Sequence, residues 1–257
     1  MKSSKNKWKT TPAKKNNALP LWVHLIELRT RLIYCLSLFF IFFCIAYFFS
    51  EKILALLARP LTTLFGADEG RRFIYTSLSE AFLTYLKASC FAACVASTPF
   101  WAFQIWQFTK PALNKEEGRY YRMACTMVPV LFIAGACMAY FAVCPLAWRF
   151  FLSFESSSLL HVPLRFEAKM SEYLNLMLKL MTVFGLGFQL PVVLGVLVGL
   201  NIVSVDTLKQ GRKYAFLAIT VIAALVTPPD LISPFGLIVP MYGLYEGVIA
   251  WLSWAQR

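Results

Sequence analysis

Residues 31–51 read RLIYCLSLFFIFFCIAYFFSE: an arginine, nineteen uncharged residues and a glutamate. About 20 apolar residues are what an α-helix needs to cross the ~30 Å hydrocarbon core of a bilayer. The run is longer than the apolar stretch of a typical cleavable signal peptide, so it reads as a span that stays in place. The pattern recurs along the chain. Uncharged runs cover 88–109, 123–148 and 180–205, and two shorter ones, 214–229 and 231–245, close it. The fourth span reaches back to about Tyr173 and takes in Lys179. The fifth and sixth are short for a full-thickness core, because 16 residues rising ~1.5 Å each cover only about 24 Å.

Composition agrees with this pattern. Of 257 residues, 59% are hydrophobic and only 15% charged, and the mean hydropathy is +0.62. Soluble domains carry roughly 25% charged residues. A soluble globule, a disordered chain and a disulfide scaffold are excluded. The net charge of +12 does not point to nucleic acid, because six lysines crowd into the first 15 residues and the first acid is Glu27. A basic tail ahead of a span is a topology signal, drawn to anionic inner-leaflet lipids. With the N-terminus inside, sixteen Lys and Arg fall in inner segments and seven in outer ones. The expected fold is an all-α integral membrane protein of six spans, near 32–50, 82–104, 123–147, 173–200, 213–228 and 232–251, with both termini cytoplasmic. Residues 1–20 form a basic tail, 21–252 one membrane domain and 253–257 a short tail. The two outer loops, 50–80 and 146–172, are long enough for short helices that cap the outer face.

Residues for catalysis are missing. There is no HExxH, GxSxG, Walker A or GxGxxG pattern, His24 and His161 are the only histidines, and no two of the seven cysteines form CxxC. No catalytic residue, metal site or cofactor is expected. What remains is a set of polar residues in unusual places. His24, Glu27 and Arg31 share one helical face ahead of span one, with Glu27 and Arg31 in the favourable i,i+4 order. Lys115-Glu116-Glu117-Gly118-Arg119 lies in the first inner loop after Phe108 and Pro111. Glu27, Glu116 and Glu117 are three of four acids on a strongly basic inner face, a setting suited to a specific cationic ligand. Within the membrane, Lys87 follows Glu80 by seven residues and snorkels outward. Gln189 sits deep in span four beside Gly185, Gly187 and Pro191, as interhelical glue or as a polar group offered to a ligand.

Several motifs in order then resemble the TatC family, the multispanning receptor of the twin-arginine protein translocase. They are His24-Leu25-Ile26-Glu27-Leu28-Arg29, Arg59-Pro60-Leu61, Ser79-Glu80-Ala81-Phe82 with Lys87, and Gln104-Ile105-Trp106-Gln107-Phe108 running into Pro111-Ala112-Leu113 and Glu117. Further on come Tyr140-Phe141, Pro145-Leu146, Phe184-Gly185 to Pro191, Thr227-Pro228-Pro229-Asp230 and Pro240-Met241-Tyr242. The resemblance runs from about Leu21 to Leu252.

It implies a concave, glove-like bundle in a bacterial inner membrane and a receptor for signal peptides bearing consecutive arginines. Such receptors work with single-span TatA/TatB-type partners and copies of themselves to export folded proteins on the proton gradient. By the same resemblance, Glu27 and Glu117 match the acids that read the arginine pair, with Arg29 and Phe108 in that surface. Pro60 and Asp230 match functional loop positions. Gln189 stands where many members carry glutamate, which leaves it a polar contact rather than a titrating group. Residues alone leave one alternative, a secondary transporter using Lys87, Lys179 and Gln189, but no inverted repeat supports it.

Overall fold

The computed structural model describes residues 21–65, 73–110, 115–153, 168–200, 202–226 and 232–255. The basic tail, the Pro111-Ala112-Leu113 turn, much of the second outer loop and the Thr227-Pro228-Pro229-Asp230 turn lie outside the described residues. Ten α-helices occur among the described residues: α1 Leu21–Phe48, α2 Ser50–Phe65, α3 Leu78–Thr109, α4 Lys115–Met138, α5 Cys144–Ser153, α6 Met170–Gly187, α7 Leu190–Gly199, α8 Val205–Gln210, α9 Arg212–Val226 and α10 Ile232–Ala255. A π-helical turn, Ala139–Val143, joins α4 to α5. Two short strands, β1 Phe73–Ile74 and β2 Ala168–Lys169, pair in parallel and tie together the segments leading into α3 and α6.

Among the described residues, five stretches are long and apolar enough to cross a membrane: Trp22–Phe48, Leu78–Thr109, Tyr121–Ser153, Met170–Gly199 and Pro234–Trp254. The interfacial helix and span one are a single element. No glycine or proline interrupts the chain between 21 and 48, and Pro20 stands just before it. The fifth expected span is α9, with only 15 residues. The expectation of a short sixth span is corrected. Its charge-free run stops at Glu246, but α10 continues to Ala255. Arg212 Nη2 donates to Glu246 Oε2 at 2.9 Å and the Tyr242 hydroxyl to Oε1 at 2.9 Å, so the acid is satisfied within the helix.

Helix α6 is the centre of the core. Its Leu174, Met177 and Phe184 are fully buried. It packs closely on α4, where a Cβ at Gly185 would come within 2.8 Å of the Phe132 ring and one at Gly135 would overlap the Phe184 carbonyl. Only glycine allows that approach. The fourth span is broken at Phe188-Gln189, and Pro191 falls in the first turn of α7 that follows the break.

Helix α2, the expected loop helix, docks through its own proline. Pro60 has no N–H, so the Leu56 carbonyl four residues earlier loses its helical donor. The Tyr140 hydroxyl, on the π-turn, donates to Leu56 O at 2.7 Å, and Tyr173 on α6 donates to Leu57 O at 2.7 Å. Pro60 therefore acts by freeing a carbonyl that a neighbouring element then holds.

Candidate functional site

The first turns of α1 lie against the last turns of α3, and the contact is polar. Arg31 donates from Nε and Nη2 to one oxygen of Glu27, Oε1, at 2.9 and 2.6 Å. Its Nη1 donates to Gln104 Oε1 and to Gln107 Oε1, both at 2.9 Å. The i,i+4 spacing in α1 sets the ion pair, and the i,i+3 spacing of Gln104 and Gln107 in α3 presents two acceptors to one nitrogen. Both partners are largely sheltered, with side-chain exposures of 19% for Arg31 and 28% for Glu27. In such a setting charge-assisted bonds are stronger than on an open surface.

The second oxygen of Glu27 is different. Among the described residues it takes no hydrogen bond, and His24 Nδ1, 4.0 Å away, is beyond hydrogen-bond reach. The His24 ring stacks on Phe108, with centroids 4.1 Å apart and planes 18° from parallel. A carboxylate with one oxygen pinned and one open, beside a flat aromatic step, is suited to a planar cation. A guanidinium fits better than an ammonium, because its fork and flat face use both features.

Glu27 and Phe108 are thus brought together through His24. Glu117 reaches the same end of the bundle by its backbone. It lies in the first turn of α4, and the Tyr121 hydroxyl, one turn further, is 3.2 Å from Thr109 Oγ1 at the end of α3. The Glu117 side chain is outside the described residues. Arg29 is not brought to the cluster. It lies two positions from Glu27, about 200° round the helix, and is exposed. Asp230 is outside the described residues, and Pro60 belongs to the α2 docking contact. Sequence reading missed Gln104 and Gln107 as site residues; their spacing from Phe108 on one face of α3 was the available signal. No group of three metal-ligating side chains occurs among the described residues.

The two intramembrane residues are apart from this site. Lys87 Nζ donates to Asn175 Oδ1 at 2.9 Å. Gln189 donates from Nε2 to Val128 O at 3.2 Å and Gly185 O at 3.1 Å, which ties α4 to the break in span four. Its Oε1 is buried and has no hydrogen-bond partner among the described residues.

These features define a polytopic helical membrane protein with a polar cluster between the first turns of α1 and the last turns of α3. Comparison with known proteins makes the class specific. Residues 23–240 match the family model for the Sec-independent protein translocase protein (TatC). The chain is 43% identical over 223 residues to the TatC of Rickettsia prowazekii, covering 87% of this chain and 88% of that protein. It is 33% identical to the Escherichia coli K12 TatC, covering 88% and 85%. A crystal structure described as the twin-arginine translocase receptor TatC superposes with a TM-score of 0.75 at 32% identity, over 91% of this chain and all of that one. The chain belongs to the TatC family. It is a multi-pass membrane component of the Sec-independent protein translocase and not an enzyme.

Proposed function

We propose that this protein is the receptor that reads twin-arginine signal peptides at the α1/α3/α4 end of the bundle. With single-span TatA/TatB-type partners and further copies of itself, it would carry folded proteins across a bacterial inner membrane on the proton gradient. The observation that carries the reading is the Arg31–Glu27 pair. The site already holds one guanidinium by its fork and keeps a carboxylate oxygen open beside His24 and Phe108. In this reading one signal arginine takes Glu27 Oε2, its flat face against the His24–Phe108 stack, and the adjacent arginine takes Glu117. Arg31, Gln104 and Gln107 position the Glu27 carboxylate rather than touch the peptide. Arg29, on the far exposed face of α1, is left outside this arginine-reading surface.

The topology belongs to the same proposal: six spans, α9 included, with both termini cytoplasmic. It places the peptide site on the cytoplasmic side, where precursors arrive. Pro60 and Asp230 then lie on the opposite side, Pro60 fixing α2 against the bundle. A transport path through Lys87, Lys179 and Gln189 is the weaker reading. Both lysines are exposed, while the amide of Gln189 is turned inward to α4 and Gly185.

The test is co-purification of the full chain with a twin-arginine signal peptide and with its Lys-Lys variant. The arginine peptide should be retained and the lysine peptide lost. Equal retention would overturn the reading. Cysteines introduced at positions 157 and 210 of a cysteine-free chain check the topology, the first labelling from outside the cell and the second only after permeabilisation.

A further inference from the structure

Two lysines remain outside any role given so far, and they occupy one groove. Lys87 on α3 and Lys179 on α6 line a cleft of about 420 Å³ together with Cys90, Cys94 and Thr182. We infer that this cleft is a binding site for the phosphate headgroup of an anionic phospholipid, in the leaflet at the N-terminal ends of α3 and α6. The inference does not depend on the signal-peptide reading.

The depth of the two lysines follows from the register. α3 and α6 start level, because Ser171 Oγ donates to Glu80 Oε1 across the gap. Lys87 lies seven residues beyond Glu80, and Lys179 eight beyond Ser171. At ~1.5 Å per residue both Cα atoms sit roughly 10–12 Å below that level. The helices run in the same direction, and helical side chains tilt toward the N-terminus. Both ammonium groups are therefore aimed back toward the nearer headgroups. The contact of Lys87 Nζ with Asn175 Oδ1, 2.9 Å long, shows this, since Asn175 lies one turn nearer the surface than Lys179.

Among the described residues the groove carries uncompensated positive charge. Each lysine has one neutral acceptor: Asn175 Oδ1 for Lys87, and the Leu225 carbonyl at 3.0 Å for Lys179. Neither has a carboxylate partner among the described residues. An ammonium has three N–H donors, so each keeps donors for a ligand. Both side chains are exposed, which in this part of the chain means facing lipid. A lipid-facing cation is costly unless something compensates it, and a phosphate supplies several acceptors and the opposite charge.

The short α9 explains why a headgroup can reach so deep. Leu225 lies in its last turn, and its carbonyl is held by Lys179. Among the described residues, helix α9 therefore ends at the depth of Lys179. A bilayer meeting a short hydrophobic face thins locally, and the headgroups descend toward the two ammonium groups. Lys179 has a double task in this arrangement. It satisfies the last turn of α9, and with Lys87 it meets the phosphate that the thinning brings down.

Native mass spectrometry of the full chain, released from nanodiscs of mixed phosphatidylglycerol and phosphatidylcholine, tests the site. The wild type should retain phosphatidylglycerol in at least about tenfold preference, as charge-assisted bonds of this kind imply. Lys87→Gln leaves the α9 contact intact and should lower that preference severalfold. Lys87→Gln with Lys179→Gln should abolish it, and the Arg/Arg double variant should restore it. Equal retention of the two lipids by the wild type, or undiminished preference in the Gln/Gln variant, would overturn the site. A photoreactive residue at position 182 should capture lipid. Capture of a single-span protein in its place, with no lipid preference, would assign the groove to a partner helix and end the proposal.

Discussion

The Glu27 cluster and the Pro60 dock are both built from a few hydrogen bonds between helices, yet they are left in opposite states. At the dock, proline frees the Leu56 carbonyl and Tyr140 takes it, while Tyr173 holds the next one at 2.7 Å. That contact is saturated. At the cluster, Arg31 spends four bonds, but among the described residues Glu27 Oε2 has none and His24 stops at 4.0 Å. Saturation marks a joint, and spare capacity beside a flat aromatic step marks a binding surface. The contrast can be broken by experiment, because the two regions should fail in different ways.

The largest effect should come from removing the open carboxylate. Glu27→Ala and Glu117→Ala should each cut twin-arginine peptide binding by about tenfold to hundredfold, from bonds of roughly 1.5–3 kcal/mol, and stop export. Thermal stability should hold near wild type. Peptide crosslinking equal to wild type in either variant would remove that acid from the site.

Tyr173→Phe should do the reverse. It removes a buried hydrogen bond between α6 and α2, at a cost of about 0.5–1.5 kcal/mol, so the unfolding transition in detergent should fall while peptide affinity is kept. A loss of affinity without loss of stability would show that the two regions are coupled and that the contrast fails.

Arg31→Lys sharpens the division between touching the ligand and positioning the group that does. Lysine keeps the charge but loses the fork that pins Glu27 Oε1 and reaches Gln104 and Gln107. Affinity for the arginine peptide should drop roughly threefold to tenfold, a milder loss than for Glu27→Ala. A gain in affinity would mean that Arg31 competes with the signal arginine for Glu27.

Sequence carried the spans well wherever charge marked their ends, and less well where a charge was satisfied internally. Glu246 cut short the charge-free run of the last span, and its partners, Arg212 and Tyr242, are set by folding. The His24–Glu27–Arg31 face was legible from helical spacing alone. Its extension to Gln104 and Gln107 was not, since those contacts bridge 73 and 76 residues. The motif residue Pro60 was visible, but its role depends on two tyrosines far along the chain.

The smallest expected effect belongs to Gln189, which combines both states in one side chain. Its Nε2 is spent on Val128 O and Gly185 O, and its Oε1 is buried without a partner among the described residues. The Nε2 contacts are a joint. The backbone N–H of Gln189 bonds to Leu186 O at 3.0 Å, so at this break the amide serves the Gly185 carbonyl in place of the usual ladder donor. The open Oε1 is a single acceptor in a low-dielectric place, and a polar hydrogen on a single-span partner or an inserting signal helix would gain by meeting it. Measured intramembrane hydrogen bonds average under about 1 kcal/mol, so Gln189→Leu should weaken partner co-purification only a few-fold and lower stability slightly. Gln189→Glu keeps two acceptors but loses the donor to Val128, and it should preserve assembly if the unpartnered oxygen is what matters. Site-specific crosslinking from position 189, in resting and substrate-engaged complexes, decides the matter. Crosslinks to a single-span partner or to the signal peptide are expected. Their absence in both states would make Gln189 a joint alone, in the same class as Tyr173.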